Sequence, residues 1–493
     1  MNRAERLARL LRVLAAIIAE PGLNPLELAE RAGVSERTLR RDLVQLRDLG
    51  YEVAYTSGYE VQEKLNLEGR GRKAMRTRGD DALLQAVAHA VETAGLWRDT
   101  GSDGRAQPLA PRRARPRRTG DAPVVLIPSG GGDPDFIFAT GFAVESGLFI
   151  SFSPQEQVLA VSPLEVDRAR AESKVATILE EREAYATGSW ARLAARMLRE
   201  KGIGHVRVAT GLPAVHIEEL RAAGIEAEID RTLFVAERRR KSAEQAAAIQ
   251  EAQSAAEAAV TEVVRELAKA EIKDGVLWSN GGPLTSEKLY ARAQFALGER
   301  GFTCPDMIIA SSPGSALPHY RGDGPIQANA PVIIDIFPTS RKTYFSGDLT
   351  RTVVVGEISE EVRRMHAAVL QALDVGIESI SAGVPGKEPH LAVCQVLVDR
   401  GFGTTTEGFE GPDGVARMNH STGHGVGLEI HEEPSLRAVA EEPLEEGDVV
   451  TVEPGLYLLG FGGVRIEDTG MVTKHGFHNF TTLTRSLDPR DYL

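Results

Sequence analysis

Apolar residues at the start of the chain recur at helical spacing. Leu7, Leu10, Leu11, Leu14 and Ile17 share one face of a 3.6-residue period and predict a first amphipathic helix. Pro21-Gly22 stops it. A short second helix is expected over residues 25–32, with the turn after it at Gly33. Ser35 is placed to cap a third helix over residues 36–49, which Gly50 ends. Polar and apolar positions then alternate over residues 51–55 and 59–62, around Thr56-Ser57-Gly58, and predict a hairpin.

The periodicity is lost over residues 63–119. One helix, over residues 80–96, interrupts a stretch that ends in Arg112-Arg113-Ala114-Arg115-Pro116-Arg117-Arg118. That composition is low in complexity and predicts a basic, largely disordered linker. The arginine run serves as a solvated tether or as a contact to nucleic acid. A third reading makes the linker a fusion scar between unrelated proteins.

Order returns after residue 120. Val124-Val125-Leu126-Ile127, Phe136-Ile137-Phe138-Ala139, Gly147-Leu148-Phe149-Ile150 and Val158-Leu159-Ala160-Val161 are short apolar runs that predict strands. Helices are expected around residues 171–181 and 189–201, within an α/β domain over residues 120–237. An alanine-rich helix over residues 241–270 opens the last domain, residues 238–493, in which strands and helices alternate. The expected fold class is a multidomain α/β (α+β) protein. A chain of 493 residues also exceeds what one core usually supports.

Composition narrows the setting. Cys304 and Cys394 are too few for a disulfide framework, and two free buried thiols are expected, with a single disulfide as the alternative. Arg3, Arg6 and Arg9 precede a short apolar stretch, but Arg12 and Glu20 limit it and no small-residue cleavage site follows. No run is long enough to span a membrane. The expectation is a cytoplasmic protein. The net charge of −13 is uneven, because residues 66–118 are basic while the body after them is acidic.

The candidate chemistry lies in the last third. Asp335 ends the run Pro331-Val332-Ile333-Ile334, and Asp348 opens Asp348-Leu349-Thr350-Arg351-Thr352. His424 lies in His420-Ser421-Thr422-Gly423-His424-Gly425-Val426-Gly427. Glu453 follows Val449-Val450-Thr451-Val452 and precedes Pro454-Gly455. Glu467 lies in Gly463-Val464-Arg465-Ile466-Glu467-Asp468. Four carboxylates and one imidazole make a hard ligand set, better suited to a pair of divalent ions than to one tetrahedral zinc. Such a pair can clamp both sides of a hydrolytic displacement.

These segments resemble the pita-bread metallopeptidases, the family of methionine aminopeptidase, aminopeptidase P and prolidase. The resemblance covers roughly residues 240–485, with all five ligand positions in family order. It implies that Asp335 binds one ion, His424 and Glu453 the other, and that Asp348 and Glu467 bridge. The ions expected are Mn²⁺, with Co²⁺, Fe²⁺ or Zn²⁺ able to substitute. Residues 337–347, between the first two ligands, are two residues longer than the common family spacing. By the same resemblance His319 and His431 stabilise the oxyanion and Glu453 acts as general base. His420 lines the substrate pocket, and Arg465 binds a substrate carboxylate, supports Asp348 or serves packing. His366, His390, His475 and His478 have no such context and are left as surface or structural.

The α/β domain, including Asp135-Phe136 to Thr140-Gly141-Phe142, is similar to the creatinase/prolidase-type amino-terminal domain of prolidase and aminopeptidase P. Methionine aminopeptidases lack it. The stretch from Leu28 to Asp42 resembles the winged helix-turn-helix heads of DeoR-type repressors, which would offer Ser35, Arg37, Thr38, Arg40 and Arg41 to duplex DNA. That head is not basic overall, which weighs against strong DNA binding. The implied protein is a homodimeric Xaa-Pro dipeptidase or aminopeptidase acting on proline-containing peptides, with a regulatory head. The alternative is a transcription regulator whose peptidase-like domain senses peptides without turning them over.

Overall fold

The computed structural model describes residues 122–493 throughout. In the head it describes residues 13, 27–29, 34, 38, 39 and 43, and the backbone of the hairpin. The chain divides into two units, residues 1–115 and 116–493.

In the first unit, Val13, Leu28, Ala29, Leu39 and Leu43 are helical and buried. Leu39 and Leu43 are one helical turn apart, as an inward face requires. Val34 N–H donates to the Ala29 carbonyl at 2.9 Å and closes the turn between two helical segments. The strands Glu52–Tyr55 and Tyr59–Gln62 pair antiparallel with Tyr55 opposite Tyr59, as the alternation predicted. Of the DNA-contact candidates, Thr38 is a half-buried helical residue, and Ser35, Arg37, Arg40 and Arg41 lie outside the described residues. The expected linker, its helix over residues 80–96 and its arginine run lie outside them too.

The second unit begins with a six-stranded mixed sheet. Its order is Thr177–Glu180, Glu156–Val161, Gly147–Ser153, Val124–Leu126, His205–Val208 and Glu226–Ile229. Two sequence expectations fail here. The run Phe136-Ile137-Phe138-Ala139 is not a strand but part of the helix Pro134–Thr140. Short apolar runs do not separate the two by period, and the caps decide. The Asp133 carboxylate accepts the Phe136 N–H at 2.9 Å, Pro134 occupies the first turn, and Gly141 ends the helix at φ 68°. The expected helix over residues 171–181 is also displaced. Helix Val166–Glu172 ends at its start, and Thr177–Glu180 adds a parallel edge strand beside Glu156–Val161. Tertiary pairing overrides local preference there.

The alanine-rich helix runs Ala243–Ala268, opened by a reciprocal cap between Ser242 and Gln245. Its inner face is mostly alanine and valine, so strands approach closely. A Cβ on Gly347 would lie 2.6 Å from the backbone of Ala252. Strands Ile308–Ser311, Pro331–Ile336 and Leu349–Val354 form one antiparallel sheet against this helix. A second, five-stranded sheet has the order Glu432–Leu436, Gly423–Gly425, Val449–Val452, Asp468–Thr473 and Gly476–Asn479. Helices Glu360–Glu378 and Lys387–Asp399 share a core with it. Cys304 and Cys394 are free and buried, as expected. No helix among the described residues is long and apolar enough to cross a membrane.

Candidate metal centre and active site

The first two acidic residues are brought together by strand register. Asp335 sits opposite Thr350, and Asp348 lies two residues before Thr350, so both carboxylates point to one face. The long helix fixes the second of them. Gln253, fully buried, donates from Nε2 to the Asp348 carbonyl at 2.8 Å and accepts the Asp348 N–H at Oε1 at 2.9 Å. The loop over residues 337–347 leaves this sheet, and Thr339–Ser340 pairs with Phe302–Thr303 before the chain returns.

His424 is carried by the short strand Gly423–Gly425. Its flanking glycines are required by neighbouring strands. A Cβ on Gly423 would sit 2.0 Å from the Thr451 carbonyl oxygen, and one on Gly425 2.6 Å from that of Glu433. The glycines thus permit a close approach of strand to strand. Glu453 follows the central strand, and its N–H donates to the Thr422 carbonyl at 2.8 Å. Glu467 is buried, its N–H donates to the Thr350 carbonyl at 3.0 Å, and its Oε2 accepts the Thr350 hydroxyl at 2.8 Å.

Ligand atoms of Asp348, His424 and Glu467 lie within 4.8 Å of one another. His424 Nε2 is 3.7 Å from Asp348 Oδ2 and 3.5 Å from Glu453 Oε1. Asp335 completes the group, and its Oδ1 is buried without a hydrogen-bond partner. A buried acceptor left unpaired is costly, and a cation satisfies it. The electrostatics agree. Burial and then the charges of Asp335 and Glu453 hold the Asp348 carboxyl well above its usual range. Burial and the charge of Asp348 do the same to Glu467, and burial pushes Glu453 up to about 8. Burial takes the His424 imidazole down to about 3, so it is neutral and able to ligate. Like charges crowded in a dry site repel, and divalent cations relieve that repulsion. The residues fit a divalent metal site.

The other candidates line its rim. The His431 ring packs on His424 with centroids 4.2 Å apart. His319 is exposed, yet near enough for its charge to weigh on His420 and His431. Arg465 is expected at a substrate carboxylate, behind Asp348 or in packing, and the structure places it on Asp335. Its Nη2 donates to Asp335 Oδ2 at 2.6 Å, its Nη1 to the Tyr457 hydroxyl at 2.7 Å, and its Nε to the Thr350 hydroxyl at 3.3 Å.

Comparison with known proteins identifies the domain that holds this site. Residues 247–474 match metallopeptidase family M24. The chain carries a metal-dependent hydrolase domain of family M24. Residues 9–60 match a helix-turn-helix (HTH) domain. A Xaa-Pro dipeptidase of Pyrococcus horikoshii is 29% identical over 360 residues, covering 72% of this chain and 92% of its own length. A Xaa-Pro dipeptidase of Pyrococcus furiosus is 36% identical over 200 residues, 40% of this chain and 53% of that protein. The structure of a Xaa-Pro dipeptidase from Bacillus anthracis superposes with a TM-score of 0.64 at 26% identity, over 75% of this chain and 95% of its own.

Within the M24 domain, sequence reasoning missed Tyr457. It is buried between two predicted residues. His420 Nδ1 donates to the Ser421 carbonyl at 2.7 Å, which leaves Nε2 to accept the Tyr457 hydroxyl proton at 2.9 Å. Asp335, Arg465, Tyr457 and His420 therefore form one hydrogen-bonded chain. Burial raises the Tyr457 phenol to about 12, and burial with the Arg465 charge lowers His420 to about 4. The one local signal for the tyrosine is Gly455, where a Cβ would lie 2.4 Å from the phenol oxygen. Gln253 gave no signal at all, being one polar residue on an alanine-rich helix.

Proposed function

We propose that the M24 domain is a dinuclear-metal peptidase that cleaves the Xaa-Pro bond at the amino terminus of dipeptides or short peptides. The observation that carries this reading is the clustering of Asp348, His424, Glu453 and Glu467 beside the unpartnered carboxylate oxygen of Asp335, with His431 packed on His424. The preference for Xaa-Pro follows the similarity to Xaa-Pro dipeptidases, which extends over most of one relative's length. The proposed organisation is a head over residues 1–62, a linker over 63–119, a prolidase-type α/β domain over 120–237 and the catalytic domain over 238–493.

Asp335 would hold one ion, His424 and Glu453 the other, with Asp348 and Glu467 shared; the hard donor set favours Mn²⁺. When bound, the ions would supply Lewis acidity and an acidified water. Glu453 accepts the proton of the attacking water as general base. His319 and His431 donate to the oxyanion as the carbonyl before proline becomes tetrahedral. Tyr457 orients His420 beside the substrate. The C–N bond then breaks, and the proline nitrogen leaves as an amine with the proton that Glu453 took from the water.

The decisive test is hydrolysis of Xaa-Pro dipeptides against longer Xaa-Pro peptides and proline-free controls with Mn²⁺ present. Equal cleavage of the controls, or none of the Xaa-Pro series, rejects the reading. His431→Ala is expected to lower kcat by about 10²–10³-fold, the scale of an oxyanion donor, with metal content unchanged. A variant that loses metal but keeps its specific activity per bound metal would show that His431 serves retention instead.

The helix-turn-helix match favours a second activity, regulation through duplex DNA by a homodimer on paired half-sites. The full chain is expected to enrich one sequence from a random duplex pool, with binding that falls steeply as salt rises. Changing Arg40 and Arg41 to Ala should remove the enrichment and leave peptidase turnover intact. Absence of enrichment even at low salt argues for an interaction module.

A further inference from the structure

Three charged residues of the second unit are buried together without touching the metal cluster. The Glu432 side chain is 6% exposed, Lys241 1% and Arg238 10%. Lys241 Nζ donates to Glu432 Oε1 at 2.7 Å, and Arg238 Nη2 donates to Glu432 Oε2 at 2.7 Å. Arg238 also donates from Nη1 to Asp135 Oδ1 at 3.0 Å and from Nη2 to Glu429 Oε2 at 2.6 Å. Asp135 lies in the helix Pro134–Thr140, against the six-stranded sheet. Arg238 lies in the short helix Val235–Arg239, and Glu429 and Glu432 flank His431. One guanidinium therefore spans three segments.

The position of Glu432 has consequences on both sides. Its carboxylate folds over Gly427, where a Cβ would lie 2.4 Å from Oε1, so the loop over residues 427–431 closes against it. Glu432 opens the strand Glu432–Leu436 and pairs with Gly425, the neighbour of His424. His431 is one residue away, its ring against that of His424.

We propose that Arg238, with Lys241, is a positioning element: it anchors Glu432 so that His431 is held against His424, and through Asp135 it makes that alignment depend on the α/β layer. The proposal rests on the peptidase reading for its kinetic consequence but not for its structural one. Lys alone cannot replace Arg238, because only a planar fork reaches Asp135 and Glu432 at once. Without the guanidinium, Glu432 keeps one partner and Asp135 loses the cation that opposes its desolvation. Its carboxyl is already raised by burial with Arg238 present.

The test uses the full chain loaded with Mn²⁺. Arg238→Gln is expected to lower kcat on a Xaa-Pro dipeptide by about 10–100-fold, the usual cost of losing a partner behind an active-site group. KM and metal content should change less than about threefold. Arg238→Lys should recover part of the loss. Asp135→Asn, remote from the metal site, should show a smaller fall, and the double variant should lose less than the two effects multiplied. Hydrogen exchange should rise over residues 427–433 and stay unchanged over Val449–Val452. That readout needs no substrate, so a wild type inactive on Xaa-Pro peptides would reject the peptidase reading and leave exchange to decide the anchor. Unchanged exchange at residues 427–433 overturns the proposal, as does a folded, metal-replete Arg238→Gln variant with wild-type kcat. A uniform loss of thermal stability with full kcat per metal-loaded site also overturns it, because it assigns the network to folding alone.

Discussion

Dialysis against a chelator is expected to abolish Xaa-Pro cleavage, and Mn²⁺ or Co²⁺ to restore it. Little catalytic power remains in the side chains alone, since the attacking water needs acidification and the carbonyl needs a Lewis acid. The metal-free centre should bind its ions more tightly as pH rises. Asp348 and Glu467 have carboxyls held well above their usual range, and Glu453 is raised to about 8. Raised values mean that the free site holds protons near neutrality, which the metal must displace. Lower proton concentration therefore favours loading, and acid opposes it. Calorimetry in buffers of different ionisation enthalpy measures the protons released. Full turnover by a sample shown to be metal-free would reject the two-metal mechanism.

Arg351→Met is expected to cost about 3–5 kcal/mol of stability, the range for breaking a buried ion pair from one side. Arg351 is fully buried. It donates to Asp468 Oδ1 at 2.9 Å and to the carbonyls of Thr350, Glu467, Leu483 and Thr484 at 2.7–2.9 Å. Methionine fills much of the volume and satisfies none of these acceptors. The comparison is made by urea unfolding in chelator, so that bound metal does not mask the difference. Because one of those carbonyls belongs to Glu467, the variant should also bind Mn²⁺ more weakly when assayed folded. A change below about 1 kcal/mol would mean that water replaces the guanidinium in this site.

Arg351 also marks the limit of what could be read from sequence. It stands three residues after Asp348 in a segment quoted for its ligand, and its own role went unseen. A residue's partners across a sheet are invisible to local pattern. The same limit explains Arg465, for which the sequence left a substrate carboxylate, Asp348 or packing open, and which bonds Asp335, 130 residues away. A guanidinium can reach any of several nearby carboxylates, and strand register selects one. The two misplaced elements of the α/β domain fail differently. There an apolar run of four residues fits helix or strand equally, and the Asp133 cap or a neighbouring edge settles it.

The sequence by itself determined the family, the order of the five acidic and imidazole candidates, the long helix and the hairpin of the head. The helix and hairpin are written locally, in a period of 3.6 or 2 residues and a capping residue, whereas the family and the order of candidates are carried by the resemblance of the motifs around them. The tertiary structure alone decided that Gln253 clasps Asp348 and that Tyr457 links Arg465 to His420. It also set Arg238 between Asp135 and Glu432. These contacts join residues brought together by sheet register and burial, from 8 positions apart for Tyr457 and Arg465 to 194 for Arg238 and Glu432. Long-range polar pairing is fixed only when desolvation leaves each buried donor and charge no partner but the one the packing supplies.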